Sequence, residues 1–258
     1  MEIDFFKYQG TGNDFIIIDD RDERTELSKL QIGMLCDRKT GIGADGLILL
    51  RSHAELDFEM IYFNADGSQS FCGNGSRCSI AFADKLHMIS SQITFKAIDG
   101  IHEGKLENGL VAVKMKDVAA IASRGHDLFV DTGSPHYIRW VDGVEQIDVD
   151  LEGKLIRNNE EFRKKGTNVN FAKIEQNHIR MRTYERGVEG ETLSCGTGAT
   201  AVALAGSVHK RQHGKQEETI LTNGGELKVR FEAKEDGSFQ NIWLVGPAKM
   251  VFQGKIYI

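Results

Sequence analysis

Short apolar segments separated by glycine-rich turns recur along the chain. Ile3–Tyr8, Asp57–Phe63 and His178–Glu185 alternate apolar and polar positions, which is typical of half-buried β-strands. The other predicted strands are Phe15–Asp19, Gly46–Leu50, Gln92–Ala97, Ile101–Leu106, Leu110–Met115, Leu128–Thr132, Tyr137–Val141, Val169–Ile174, Glu217–Thr222, Glu226–Glu232, Asn241–Val245 and Met250–Ile258. Helices are predicted at Leu27–Asp37, Asn74–Leu86, Leu151–Arg163 and after Cys195 to about His209.

One phrase occurs twice, as Cys72-Gly73-Asn74-Gly75 and, 123 positions later, as Cys195-Gly196-Thr197-Gly198. Three further pairs of segments match at offsets of 121 to 123: Thr11-Gly12-Asn13 with Thr132-Gly133-Ser134, Gly43-Ala44-Asp45 with Gly166-Thr167-Asn168, and Tyr62-Phe63-Asn64 with Thr183-Tyr184-Glu185. The constant order indicates an ancient duplication. It predicts an α+β fold of two pseudo-symmetric domains, 1–117 and 118–248. Each would be a curved, mostly antiparallel sheet around one central helix, because regular strand–helix alternation is missing.

A cysteine between glycines at a helix start has a chemical use. The free N–H groups and positive dipole of the first turn hold a carboxylate and lower the pKa of a nearby thiol. Two such elements, Cys72 and Cys195, would bracket one carbon in a cleft between the domains. One sulfur would remove a proton while the other supplies one. Alternatively, both cysteines are small buried hydrophobic residues, as we expect for Cys36 and Cys78.

The bulk composition narrows the function classes. The net charge of −6 over 258 residues disfavours nucleic acid and acidic membranes as partners. The N-terminus has no signal-peptide pattern and no apolar run is long enough to span a bilayer, so we expect a cytoplasmic protein with reduced cysteines. The spacing of Cys72 and Cys78 does not fit a zinc site. Gly41–Gly46 matches a dinucleotide pattern, but with a helix before it and a strand after it.

Two further motifs stay open on the residues alone. His136 follows a proline in a turn and is either a capping histidine or a functional one. Glu185 and Arg186 follow a strand directly, and they form either a solvated ion pair or part of a carboxylate site, since arginine grips carboxylates with two bonds.

Taken together, five motifs resemble the diaminopimelate epimerase family. They are Gly12-Asn13-Asp14-Phe15, Phe63-Asn64-Ala65-Asp66-Gly67-Ser68, Cys72-Gly73-Asn74-Gly75-Ser76-Arg77-Cys78, Tyr184-Glu185-Arg186-Gly187 and Cys195-Gly196-Thr197-Gly198-Ala199. The resemblance extends over nearly the whole chain, to Gly246-Pro247-Ala248. It implies a cofactor-independent isomerase that interconverts L,L- and meso-diaminopimelate, commonly as a homodimer. It also implies that the last strand, 249–258, returns to the first domain.

The resemblance also implies the site residues. The acid/base pair falls on Cys72 and Cys195. The substrate-binding set falls on Asn13, Asn64, Gly73, Asn74, Asn168, Glu185, Arg186, Gly196 and Thr197. His136 and Glu185 fall on residues thought to tune the cysteine pKa values, and no metal is implied.

Two positions depart from the family pattern, where many members have Gln at the place of Gly46 and Asn at the place of Ser134. These departures bear on substrate contacts rather than on the thiols. The alternatives are another two-cysteine amino-acid racemase, such as a proline racemase-like enzyme, or a non-catalytic amino-acid-binding or thiol-redox protein. The phenazine-biosynthesis isomerases share the scaffold but are not expected to have both cysteines.

Overall fold

The computed structural model of the chain describes residues 2–89 and 92–258. By internal contacts the chain forms two units, Met1–Val113 with Gly246–Ile258, and Lys114–Val245. We call these the first unit and the second unit. The domain bounds expected from the sequence, 1–117 and 118–248, stay a prediction. No helix in the described residues is long and apolar enough to cross a membrane.

The first unit is a sheet with one helix on each face. Its strands are β1 (Glu2–Gly10), β2 (Asn13–Asp19), β3 (Gly46–Arg51), β4 (Phe58–Asn64), β5 (Gln92–Ala97), β6 (Gly100–Glu107), β7 (Leu110–Lys114) and β17 (Lys249–Tyr257). Its helices are α1 (Lys29–Cys36) and α2 (Gly73–Lys85). The pairing order is β17-β1-β2-β3-β4-β5-β6-β7, antiparallel except for the parallel pairs β2–β3 and β4–β5.

Packing on both faces explains the unbroken apolar run in β3. Ile48 and Leu50 join the core beneath α2, whereas Leu47 and Leu49 join the core beneath α1. A strand buried on both sides reads as a continuous hydrophobic run rather than as an alternating one.

The second unit repeats this plan. Its strands are β8 (Ala122–Arg124), β9 (Asp127–Asp131), β10 (Pro135–Trp140), β11 (Asn168–Ile174), β12 (Ile179–Glu185), β13 (Gly190–Thr192), β14 (Gly214–Thr222), β15 (Gly225–Ala233) and β16 (Phe239–Gly246). Its helices are α3 (Val149–Arg157) and α4 (Gly196–Lys210), with a 3₁₀ turn at Val144–Gln146. The pairing order is β8-β9-β10-β11-β12-β14-β15-β16, with β10–β11 and β12–β14 parallel.

The two units therefore share one topology, with parallel pairs at the same two places and one central helix, α2 or α4, packed on the sheet. This confirms the predicted class of two pseudo-symmetric, mostly antiparallel α+β halves. The strand registers also correct one match made from the sequence. Gly46 lies opposite Phe15, and Asn168 lies opposite His136. Because Phe15 and His136 hold equivalent places in β2 and β10, Gly46 is equivalent to Asn168. The match of Asp45 with Asn168, which would pair Gly46 with Val169, is therefore shifted by one residue.

Most predicted elements are confirmed to within two residues at each end, and three differences have local causes. α3 ends at Arg157 instead of continuing to Arg163, because Asn158 is its C-cap and donates its side-chain amide to the carbonyl of Lys154. The three-residue strands β8 and β13 are too short to show a periodic pattern. The turn between β6 and β7 at Asn108-Gly109 has positive φ at both residues, 49° and 79°, as a type I′ turn requires.

Candidate active site

Cys72 is the N-cap residue of α2, and its extended backbone precedes the first helical turn. The sulfur accepts a hydrogen bond from the backbone N–H of Gly75, with 3.4 Å between the two atoms. Cys72 is half-buried, while Gly73 and Asn74 are buried. The first predicted cysteine therefore lies at a helix N-terminus, with its thiol beside the free amides of the first turn.

Cys195 holds the same place in the second unit, as the N-cap residue of α4. Its sulfur lies 3.5 Å from Oγ1 of Thr197, and the side chain is 6% exposed. The first turn is fixed from outside the helix, because Oγ1 of Thr132 donates to the carbonyl of Thr197 over 2.9 Å. The prediction that both Cys-Gly phrases begin helices is confirmed.

Asn13 links the first thiol to the turn between β1 and β2. Its Oδ1 lies 3.7 Å from the sulfur of Cys72 and accepts a hydrogen bond from Nδ2 of Asn74 over 3.2 Å. Its Nδ2 donates to Asp45 over 2.6 Å, which fixes the orientation of the amide. Three residues of the predicted site, Asn13, Cys72 and Asn74, are thus brought together. Asp45, which the sequence reading left out, orients them.

Asn64 is the last residue of β4, where it is paired with Gly46 of β3. Its Nδ2 donates to Oγ of Ser68 over 3.0 Å, and its Oδ1 accepts from Oγ of Ser70 over 3.2 Å. These contacts tie Asn64 to the loop that leads into α2, so the side chain is held at the same end of the sheet as Asn13.

A side chain at Gly46 would have no room, because Tyr62 occupies the adjacent space. A Cβ placed on Gly46 would lie 2.4 Å from Cε2 of Tyr62 and 2.8 Å from the hydroxyl oxygen, well inside contact distance. Tyr62 is 7% exposed, and its ring also packs edge-on against Phe15. The departure at Gly46 is therefore paired with a bulky aromatic neighbour.

Asn168, at the start of β11, organises the predicted binding residues of the second unit. Its Nδ2 donates to Oγ of Ser134 over 2.9 Å, and its Oδ1 accepts from the backbone N–H of Arg186 over 2.9 Å. The guanidinium of Arg186 also reaches Ser134 over 3.4 Å. Ser134, the second departure from the family pattern, therefore still joins Asn168 and Arg186. Glu185 instead accepts a hydrogen bond from Thr192 over 2.8 Å.

His136 is fully buried on β10, and its partner is Asn170, which the sequence reading missed. Nδ2 of Asn170 lies 3.1 Å from Nδ1 of His136 and donates to the carbonyl of Tyr137, so Nδ1 accepts and the ring proton is on Nε2. Nε2 is buried and has no hydrogen-bond partner among the described residues. Burial and the charge of Arg186 lower the pKa of His136 to about 3.

Asn170 also packs against the first turn of α4, close to Gly198. A Cβ placed on Gly198 would lie 2.7 Å from Oδ1 of Asn170 and 3.4 Å from the sulfur of Cys195. Oδ1 of Asn170 also accepts from Thr183 over 2.9 Å. The alternation of Asn168, Val169 and Asn170 along β11 is the signal that points to Asn170, since residues two apart lie on one face of a strand.

Cys36 and Cys78 lie in the two cores of the first unit, as predicted for packing residues. Burial raises the pKa of Cys36 to about 11 and that of Cys78 to about 12, so both stay protonated at neutral pH. Among the described residues, no group of three or more His, Cys, Asp or Glu side chains is arranged to hold a metal ion.

Solved structures of low sequence identity share the fold. A phenazine biosynthesis protein of the PhzF family from Bacillus anthracis matches with a TM-score of 0.77 at 15% identity, covering 100% of both chains. A probable proline racemase from Agrobacterium radiobacter K84 matches with a TM-score of 0.72 at 12% identity, covering 99% of this chain and 93% of the other.

Sequence comparisons identify the family, whereas the structural matches concern the fold. The profile of the family described as diaminopimelate epimerase matches residues 5–120 and 128–251. Diaminopimelate epimerase from Flavobacterium psychrophilum is 46% identical, with 97% of this chain and 99% of the relative covered. The enzyme of the same name from Aquifex aeolicus is 38% identical, with 98% of each chain covered. The chain belongs to the diaminopimelate epimerase family.

Proposed function

We propose that this chain is a cofactor-independent isomerase that interconverts L,L-diaminopimelate and meso-diaminopimelate, a step of lysine and peptidoglycan biosynthesis. One observation carries the proposal: two topologically equivalent units each present a cysteine as the N-cap of their central helix. A stereocentre is inverted when one group removes its proton and a second group returns a proton to the opposite face. Two equivalent thiol half-sites suit that reaction.

In the proposed reaction, a thiolate takes the α-proton and becomes a thiol. The carbon–hydrogen electron pair moves into the carboxylate, which then carries two negative charges. The backbone N–H groups of Gly73, Asn74, Gly196 and Thr197 stabilise this charge at the two helix N-termini. The opposite thiol gives its proton to the other face and becomes the thiolate, so atoms and charges balance.

The remaining predicted residues recognise the rest of the substrate. Diaminopimelate carries a second amino-acid centre, with its own carboxylate and ammonium groups. The Asn168–Ser134–Arg186 network supplies amide and guanidinium donors for the carboxylate, and Asn13, Asn64 and Glu185 supply acceptors for an ammonium group. His136 acts on the pKa of Cys195 through Asn170, and Glu185 contributes a negative charge that tunes the cysteine pKa values.

Hydrogen exchange at the α-carbon tests substrate and reaction together. Incubation with L,L-diaminopimelate in heavy water, under reducing conditions, should place deuterium on one α-carbon and produce the meso isomer. Cys72→Ala and Cys195→Ala should each lose turnover, while Cys36→Ala, a buried cysteine of the α1 core, should keep it. Absence of deuterium uptake in the wild type would refute the epimerase. Near-normal epimerisation by either active-site variant would refute the two-base reaction.

A proline racemase-like activity is less well supported. The match to a probable proline racemase has 12% identity and concerns the fold. Proline has no second amino-acid centre that would need Asn64, Asn168 and Arg186. The same heavy-water assay with L-proline separates the two activities.

We also propose the organisation of the protein. The domains are 1–117, completed by 249–258, and 118–248, and the protein acts as a cytoplasmic homodimer. Support for a dimer comes from β17, which pairs only with β1 in the described part of the chain. Its consecutive residues Met250, Val251 and Phe252 are 43%, 57% and 46% exposed. An edge strand that is apolar on both faces is a surface that proteins cover.

A further inference from the structure

Arg77 is a buried charge without a carboxylate partner. The residue is 0% exposed, and its side chain donates to Oγ1 of Thr11 over 3.2 Å and to the carbonyl of Pro247 over 3.4 Å. Both acceptors are neutral. Nη1 has no hydrogen-bond partner among the described residues. Burying an ion without a counter-ion lowers the stability of the fold. A buried, unpaired arginine therefore indicates a role other than stabilising the fold.

The position of Arg77 indicates that this role concerns the first turn of α2, where Cys72 lies. The residue lies in the second turn of α2, and side chains in a helix lean toward the N-terminus. A Cβ placed on Gly10 would lie 3.2 Å from Nη2 of Arg77 and 3.5 Å from the carbonyl oxygen of Asn74, so the guanidinium reaches the first turn. Burial lowers the pKa of Arg77, whereas negative charge on Cys78 or Cys72 raises it, so Arg77 and Cys72 interact electrostatically.

The other charged groups around α2 are compensated or neutral. On the β1 and β2 side, Lys7 and Arg38 pair with Asp14 and Asp45. On β3, β4 and β17, the ion pairs are Arg51 with Asp20, Lys96 with Glu59 and Lys255 with Glu2. Burial raises the pKa of Tyr8 and of Cys78 to about 12 each, so both are neutral, and Asp84 is exposed at the far end of α2. Among these groups, Arg77 is therefore the buried charge without a counter-ion.

The second unit lacks this charge. With the two cysteines superposed, the position of Arg77 corresponds to Thr200, whose hydroxyl donates to the carbonyl of Gly196 over 3.0 Å. The two thiols differ as well. The sulfur of Cys72 accepts the N-cap hydrogen bond from Gly75, whereas the sulfur of Cys195 lies 3.5 Å from Oγ1 of Thr197.

We propose that the buried guanidinium of Arg77 holds Cys72 as the resting thiolate, so that Cys72 is the base and Cys195 the acid of the free protein. This inference rests on the proposed function, since it assigns the two roles within that reaction. Arg77 is a positioning residue, because it acts through the thiol. After one turnover the thiolate lies on Cys195, and the proton must return to Cys195 from Cys72 before the resting form is restored.

One contact acts in the opposite direction. Oδ1 of Asn13 faces the sulfur of Cys72 at 3.7 Å and is an acceptor, which suits a thiol rather than a thiolate. A thiol is a weak donor and the distance is long, whereas Arg77 contributes a full charge from a fully buried position. The charge is the larger effect.

Alkylation of the wild-type protein tests the assignment without substrate. Samples treated briefly with iodoacetamide from pH 5 to pH 10 are digested, and labelling at each cysteine is quantified by mass spectrometry. Cys72 should titrate below about 7.5, and Cys195 near or above the ordinary thiol value of about 8.5. Coincident midpoints, or a lower midpoint for Cys195, would overturn the proposal. The heavy-water assay is independent, so its result separates failure of this assignment from failure of the epimerase function.

Variants then test the role of the charge. Arg77→Met should raise the Cys72 midpoint by about one pH unit or more and move the acidic limb of kcat/KM with it, while the Cys195 midpoint stays in place. Arg77→Lys should largely preserve the Cys72 midpoint, and Thr200→Val serves as the matched control in the second unit. A purely structural role would lower the melting temperature of Arg77→Met without moving the midpoint, and that result would overturn the proposal. If Arg77→Met does not fold, the wild-type and Arg77→Lys profiles decide.

Discussion

Gly46 and Ser134 change the candidate site in different ways. Ser134 keeps a hydroxyl that Asn168 and Arg186 both reach, so a polar contact persists there. Gly46 contributes no side chain, and the phenol of Tyr62 fills that space. Because the strand registers make Asn168 the equivalent of Gly46, one unit presents an amide where the other presents a phenol. The space beside Gly46 is therefore filled by Tyr62, a contact that no local pattern predicts.

The buried imidazole of His136 should make stability depend on pH. Its pKa is about 3 in the folded protein, against an ordinary value of 6.5, so only the unfolded chain binds a proton between these values. The stability from the neutral ring is fully present above pH 6.5 and falls as the pH drops toward 3, by at most about 1.4 kcal/mol per pH unit. His136→Phe copies Phe15 of the first unit and should reduce this slope.

The measurement is the free energy of unfolding in urea at pH 7.5 and pH 5. The wild type should lose more stability between the two values than His136→Phe loses. His126→Gln, at an exposed position, should keep the wild-type difference. Equal pH dependence in the wild type and His136→Phe would show that His136 is not held neutral in the folded protein.

At the scale of the helices, the two Cys-Gly phrases are equivalent in backbone but not in packing. A Cβ on Gly75 would meet its nearest atoms, of Cys72 and Ile48, at 3.4 Å, which is ordinary contact. A Cβ on Gly198 would lie 2.7 Å from Oδ1 of the buried Asn170. Gly75→Ala should therefore be tolerated, or stabilise by up to about 1 kcal/mol, since alanine favours helices. Gly198→Ala should destabilise by about 1–3 kcal/mol through overpacking.

Thermal and urea unfolding of the two variants check this difference, and each variant is the control for the other. Equal effects on stability would mean that Asn170 moves aside easily. In that case the packing of Asn170 against the first turn of α4 would be looser than the distance indicates.

The helices and strands could be predicted from local signals, but the elements that each one pairs with or packs against could not. Both Cys-Gly phrases begin helices as predicted, because glycines and an N-cap residue act within one turn. The parallel pairing of β4 with β5 depends on contacts across many residues, and no short pattern encodes it. The site shows the same limit. The cysteines are visible as a repeated motif, whereas Asn170 and Arg77 become informative only once their burial and partners are known.

For the whole molecule, the proposed homodimer can be tested at β17. Val251→Lys places a charge in the middle of the exposed apolar run and should convert the protein to a monomer, because a lysine there would have to be desolvated in the interface. Sedimentation velocity over a range of concentrations measures the change. Val208→Lys, at a 45% exposed position near the end of α4, should leave the assembly unaltered. A monomeric wild type, or a dimeric Val251→Lys variant, would contradict a dimer through this strand.

The pairing of β1 with β17 also has a consequence for how the chain is made. Glu2 lies opposite Tyr257, so β1 waits for a partner strand that follows it by more than 200 residues along the chain. At usual rates of translation this delay is on the order of tens of seconds. Throughout it, the outer edge of β1 lies open to other nascent chains. Glu2 and Asp4 alternate with Ile3 and Phe5 along that edge, and their negative charges disfavour pairing with another strand. The acidic residues of β1 thus protect this edge until β17 has been synthesised.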